Sequence, residues 1–150
     1  MLRDLRPGKT LYMLATGTGL APFISLVHDP ATYARFEQVV LVHSVRTVAE
    51  LAYRETLEAL GNPQCRYVPT VTREAFATSG RGADLFRSGA LSQGLGLPLP
   101  DPEHDRVMIC GNPDMTREMT RYLKDSGWTL TNHRGVGNFS TELAFVVHHE

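Results

Sequence analysis

Residues 14–23 read LATGTGLAPF, directly after the apolar run Leu11–Leu14. A buried strand that empties into Thr16-Gly17-Thr18-Gly19 and then into a helix makes a seat for an anion. Glycine lets the backbone turn tightly and come close to a ligand. The first amides of the helix that follows have no partner inside it, and the helix dipole adds partial positive charge at the same point. Phosphate or pyrophosphate is the natural occupant. The same letters also suit a plain strand-to-helix turn, and GTG alone does not separate the two readings.

The rest of the composition narrows the class. A chain of 150 residues fits one domain. With 42% hydrophobic and 21% charged residues, it has the make-up of a soluble globular protein. The formal net charge of −1 gives no general attraction to nucleic acid or to an anionic membrane. No apolar stretch is long enough to cross a bilayer. The first ten residues carry Arg3, Arg6 and Lys9 but no apolar signal-peptide core. Cys65 and Cys110 lie far apart and form neither a CxxC nor a metal-ligand pair. The six histidines have no metal spacing, so no metal is assigned. Two buried thiols in a reducing cytoplasm fit this cysteine usage.

Working outward from the glycine loop, apolar runs alternate with helical patterns. Strands are expected at 10–15, 38–43, 65–71, 106–110 and 128–133. Helices are expected from Leu20 to Val27 with another turn near 31–36, over Val48–Leu60, at Ala83–Ser88 and over Asp114–Lys124. The Gly- and Pro-rich stretch 91–105 reads as loop, and 135–150 fits no regular pattern. Such alternation implies an α/β fold: a doubly wound, five-stranded parallel sheet with helices on both faces. Ligands in such folds bind at the carboxyl ends of the strands.

The candidate residues therefore stand just after each strand. The first is followed by Thr16, Gly17, Thr18, Gly19 and Pro22; this GTGxxP spacing differs from the GxGxxG fingerprint but shares its close backbone approach. The second is followed by His43-Ser44-Val45-Arg46. In dinucleotide folds an acid here holds a free ribose hydroxyl, and a cation accommodates a 2′-phosphate. The first charged residue is Arg46, and Ser44 offers a further donor. After the third strand come Arg73 and, within Gly80-Arg81-Gly82, Arg81. The planar arginine fork pairs with phosphate oxygens. After the fourth come Cys110, Gly111, Asn112 and Pro113. Gly111 permits close approach of a flat ring, Asn112 suits a helix cap and Pro113 a first turn. Cys110 is placed at the centre of the cleft, although a lone strand-end cysteine also serves as a small core side chain.

Taken in order, GTGLAPF, HSVRTVAELAY, PTVTRE, GR, DRVMICGNPDM and a terminal AFV resemble the C-terminal NADP-binding domain of bacterial ferredoxin–NADP reductases, over nearly the whole chain. The resemblance implies a single NADP-binding domain over 1–150. The reaction it implies is hydride transfer between NADPH and FAD, coupled to ferredoxin or flavodoxin. Thr16–Gly19 and Pro22 would then hold the pyrophosphate and nearby ribose, and Arg46, Arg73 and Arg81 the 2′-phosphate. Cys110, a catalytic residue in this reading, and Gly111 would lie by the nicotinamide, with Asn112, Pro113 and Met115 lining the cleft. The tail 135–150 would contact flavin, Ala144 near the isoalloxazine and Phe145 near the adenine. Leu143 stands where the family pattern has arginine, and Val147-His148-His149 departs from its usual ending.

These reductases also carry an N-terminal antiparallel barrel that binds FAD. No such barrel is expected before Leu11, so FAD binding and activity are expected only when that part is supplied. Arg117, Arg121 and Lys124 share a helix face; they suit a solvated surface or a dock for an acidic electron carrier. Two other readings stay open: a nucleotide-binding or sensing module without catalysis, and the nucleotide half of another flavin oxidoreductase.

Overall fold

Strand β1 (Gly8–Thr16) leads into the glycine loop, and its residues 11–15 are buried on both faces. That is why it reads as an unbroken apolar run rather than an alternating one. The computed structural model describes residues 5–131 and 137–143. In it β1 lies at the centre of a sheet with β2 (Phe36–Val45), β3 (Cys65–Val71), β4 (Arg106–Gly111) and β5 (Phe139–Leu143). The order is β3-β2-β1-β4-β5, and every neighbouring pair is parallel. The register sets Thr16 beside Ser44, Ala15 beside Cys110 and Val45 beside Val71, so the carboxyl ends of β1, β2, β3 and β4 finish level.

Alternation along the strands divides the core in two. Leu11, Met13, Leu41, Met108 and Cys110 face helices α1 (Ala21–His28), α2 (Pro30–Arg35) and α3 (Arg54–Glu58) through Phe23, Val27, Tyr33 and Leu57. Tyr12, Leu14, Val42, Val107 and Ile109 face α4 (Gly82–Ser88), α5 (Ala90–Leu95) and α6 (Pro113–Asp125) through Ala83, Phe86, Leu91, Met115, Met119 and Leu123. Each large apolar side chain buried this way contributes roughly 1.5–3 kcal/mol. The doubly wound parallel sheet expected from the sequence is the fold observed.

Three local expectations are corrected. The fifth strand is Phe139–Leu143, not 128–133. Trp128 instead closes α6, its amide bonded to the Leu123 carbonyl at 2.9 Å and its ring buried in the second cluster. Leu130 makes one bridge to Phe139. The true strand reads FSTEL, with three polar residues between its two apolar ends, and so lacks a continuous apolar signal. The helix expected over 48–60 is interrupted. Thr47 and Glu50 form a capping box around a 3₁₀ turn, Tyr53 adopts a left-handed φ of 62°, and α3 begins only at Arg54. Leu51, pulled into a small cluster with Val45 and Val71, needs that break. The stretch expected as loop holds α5, which Gly89 and Gly96 bound at positive φ.

Candidate functional site

The two glycines of GTG do different work. Gly17 turns the chain at a φ of 48°, with nothing near where a Cβ would stand. Gly19 is buried, and a Cβ on it would lie 2.3 Å from the Cys110 carbonyl oxygen and 2.7 Å from Gly111 Cα. Thr16 meets β4 from the other side. A Cβ on Gly111 would lie 2.0 Å from Thr16 Oγ1 and 2.9 Å from Thr16 N, and the Asn112 amide donates to Thr16 Oγ1 at 2.8 Å. The exits of β1 and β4 are thus one interlocked piece of backbone. Gly17 and Thr18 remain exposed on it, and the 3₁₀ turn Gly17–Leu20 runs straight into α1, where Pro22 occupies the first turn.

Asn112 caps α6 as expected: its side chain accepts from the Met115 amide at 3.0 Å, with Pro113 in the first turn. Asn112 and Pro113 are exposed. Met115 is not in the cleft; its side chain is buried in the second core cluster, because helical spacing sets it in line with Met119 and Leu123. Cys110 is also corrected. Strand alternation turns its side chain into the first core cluster, where it is fully buried rather than facing an open cleft. Burial, and then the charge of Glu142, push its thiol up to about 11. It is a neutral thiol at pH 7.

Ser44 is corrected as well. It is buried, and its Oγ accepts from the Gly82 amide at 2.8 Å, tying the start of α4 to the end of β2. The tie brings Arg81, the residue before α4, to the carboxyl edge. Arg46 and Arg73 are brought together directly. The β2–β3 ladder continues past the strands, with the Thr72 amide on Val45 O at 3.0 Å and the Arg73 amide on Arg46 O at 2.9 Å. Both arginines are exposed.

Two of the three arginines meet carboxylates. Arg46 pairs with Glu50 at 3.3 Å. Burial pushes the Glu50 carboxyl up, but the bonds from Arg46 and Thr47 outweigh it and hold it below the ordinary range. Arg81 Nη2 bonds Glu118 on α6, whose other oxygen takes Arg87 at 2.9 Å, and Arg87 also bonds Asp84 at 2.5 Å. The Arg81 and Arg87 bonds hold the Glu118 carboxyl low. Arg117 pairs with Asp114, which reduces the free charge of the α6 cation face.

Sequence reading missed His43. Its buried Nε2 donates to the Gly17 carbonyl at 2.8 Å, directly beneath the loop. Burial pushes its pKa below the ordinary histidine value, against a smaller opposing effect of the Gly17 bond, so the ring is neutral at pH 7. Its position directly before Ser44, at the end of a buried strand, was the available signal. Ala144 and Phe145 lie outside the described residues. Asp101, Glu103 and His104 bring ligand-type atoms within 4.8 Å of one another, but at the opposite edge of the sheet and largely exposed. Among the described residues no helix is long and apolar enough to cross a membrane.

A family model described as the oxidoreductase NAD-binding domain matches residues 13–121. The chain belongs to that family. The match runs from β1 through most of α6 and so takes in both glycine loops and all three arginines. The chain is 49% identical to the ferredoxin–NADP reductase of Azotobacter vinelandii over 95% of its own length and 60% of the relative's. It is 47% identical to ferredoxin–NADP reductase A of Sorangium cellulosum, over 95% of its own length and 55% of that protein's. Among solved structures, a ferredoxin NADP+ reductase from Neisseria gonorrhoeae with bound FAD and NADP superposes with a TM-score of 0.88 at 36% identity, covering 97% of this chain and 60% of that one. The chain thus spans somewhat over half the length of these relatives, and this NAD-binding domain is the part it shares with them.

Proposed function

We propose that this chain is the NADP(H)-binding part of a flavin-dependent ferredoxin– or flavodoxin–NADP reductase that works in the cytoplasm. The observation that carries the reading is the meeting of two features at one edge. An interlocked glycine seat stands at the ends of β1 and β4, and arginines at the ends of β2 and β3 stand beside it. The names of the relatives agree with it. A dinucleotide fits this edge by the chemistry of its donors. Gly17 leaves the backbone open to a ligand, and exposed guanidinium groups suit a 2′-phosphate.

In this reading Thr16, Gly17, Thr18 and Gly19 shape the pyrophosphate seat, and Pro22 starts the helix behind it. Arg46 and Arg73 take the 2′-phosphate, and Arg81 joins them by exchanging Glu118 for it. Gly111, Asn112 and Pro113 form the wall on which the nicotinamide end rests. NADPH, when bound, supplies the hydride that FAD accepts. Cys110 acts from behind that wall: a neutral, buried thiol sets its shape and carries no charge toward the ring. Ala144 and Phe145 contact flavin held by the FAD-binding part of the complete reductase. An acidic ferredoxin or flavodoxin is the electron partner.

The test joins this chain to the FAD-binding portion of a relative in one polypeptide. NADPH-dependent reduction of ferricyanide, with NADH far slower, is the expected result. A fusion that binds FAD yet reduces nothing with either coenzyme contradicts the reading.

A further inference from the structure

We propose that His43 is a positioning residue: the bond from its Nε2 to Gly17 O fixes the Gly17–Thr18 peptide with its amide turned outward, toward the dinucleotide pyrophosphate. This rests on the nucleotide reading above. In a planar trans peptide the carbonyl and the amide hydrogen point in opposite directions. His43 is fully buried beneath the loop and holds the Gly17 oxygen at 2.8 Å. The Thr18 N–H therefore points away from the core, on an exposed residue. Glycine at a φ of 48° gives the neighbouring peptide freedom to rotate. With the peptide flipped, a carbonyl oxygen would meet the phosphate and repel it. A donor underneath selects the orientation that an anion needs before the anion arrives, and preorganised dipoles of this kind cost no rearrangement on binding.

The second ring nitrogen argues that His43 is more than filler. Nδ1 is buried and has no hydrogen-bond partner among the described residues. A buried acceptor left unmet is destabilising, and leucine would fill similar space without that penalty. What the imidazole offers in exchange is the Nε2 donor. Because Gly17 O can only accept, the neutral ring must be the Nε2–H tautomer.

The test uses the full chain and two ligands. Calorimetry gives the Kd for NADP+ and for adenosine 2′-phosphate, which has the ester phosphate but no pyrophosphate. His43→Leu is expected to weaken NADP+ about tenfold, the scale of one hydrogen bond to a charged group, and to leave adenosine 2′-phosphate unchanged. His43→Gln, whose amide nitrogen reaches about as far as Nε2, is expected to recover most of the loss. A leucine variant that binds NADP+ like the wild type, or that loses both ligands in proportion, overturns the role. If the leucine variant does not fold, the ring ¹⁵N shifts of the wild-type chain decide: the Nε2–H tautomer at neutral pH supports the role, and the Nδ1–H tautomer or an imidazolium overturns it. A wild-type chain that binds neither ligand overturns the nucleotide reading itself, whereas wild-type binding left untouched by both substitutions overturns the role of His43 alone.

Discussion

The carboxyl edge of this sheet has two halves of opposite character. At the ends of β1 and β4 the backbone is wedged: Gly19 against Cys110, Gly111 against Thr16, with Cys110 buried and His43 bonded below. Beyond the ends of β2 and β3 the groups are long and exposed, and Arg46 and Arg81 are held by carboxylates, with the Arg46 side chain 64% accessible and that of Arg81 48%. The first half is set by shape and tolerates almost no added atom. The second is set by charge, and exposed ion pairs of its kind are worth only about 0.2–1 kcal/mol. A phosphate can displace such carboxylates cheaply. In the proposed function, the fixed half meets what the two coenzymes share and the adaptable half meets the phosphate that separates them.

The largest effect expected on the wedged half concerns Cys110. With its thiol pushed up to about 11 from an ordinary 9.0, the thiolate fraction at pH 8 falls about a hundredfold, before burial restricts access further. Iodoacetamide at pH 8 should label Cys110 at least about a hundred times more slowly in the folded chain than in guanidinium. The rate should climb as pH rises toward the raised pKa. Fast labelling of the folded chain would show that the wedge is open. Next in size is Gly19→Ala. Its Cβ meets backbone that cannot swing aside, so a loss of about 3 kcal/mol is expected, a fall of roughly 10 °C in Tm for a domain of this size. Gly17→Ala, strained in φ but with open space, should cost only about 1 kcal/mol. Equal melting temperatures for the two variants would erase the distinction between the glycines.

On the adaptable half, Arg46→Ala and Arg73→Ala should each weaken NADP+ about tenfold, the scale of a charge-assisted hydrogen bond. Each should leave NAD+ affinity and Tm nearly unchanged. Parallel losses of both coenzymes would move these arginines out of the 2′-phosphate site. The smallest effect belongs to Glu118→Gln. Freeing Arg81 from its carboxylate should tighten NADP+ by about two- to threefold, the scale of a surface pair. The gain should shrink as salt is raised, because salt screens exposed charges. Weaker binding instead would mean that Glu118 holds Arg81 in place rather than holding it back.

This division also explains what the sequence made legible. The three inner strands, β1, β2 and β4, announce themselves because burial on both faces leaves long apolar runs, and the residues after the strands follow by the rule of parallel sheets. Arg46 and Arg73 were singled out that way, and the structure brings them side by side at that edge. Side-chain direction at strand ends was not legible, since a shift of one residue exchanges faces. Cys110, Ser44 and Met115 each lie at or near a strand end, as read, and yet turn into the interior. His43 escaped notice because a lone histidine in an apolar run looks like core, and its bond to Gly17 spans 26 residues. Strand β5 hid behind its polar positions, and α3 behind a capping box that lay within an otherwise helical pattern.

The most direct measurement is calorimetric titration of the wild-type chain with NADP+ and with NAD+ under identical salt. Affinity at least about tenfold higher for NADP+, narrowing when salt is raised, is the expected result. Equal affinities at low salt would contradict the assignment of the arginine rim to a 2′-phosphate.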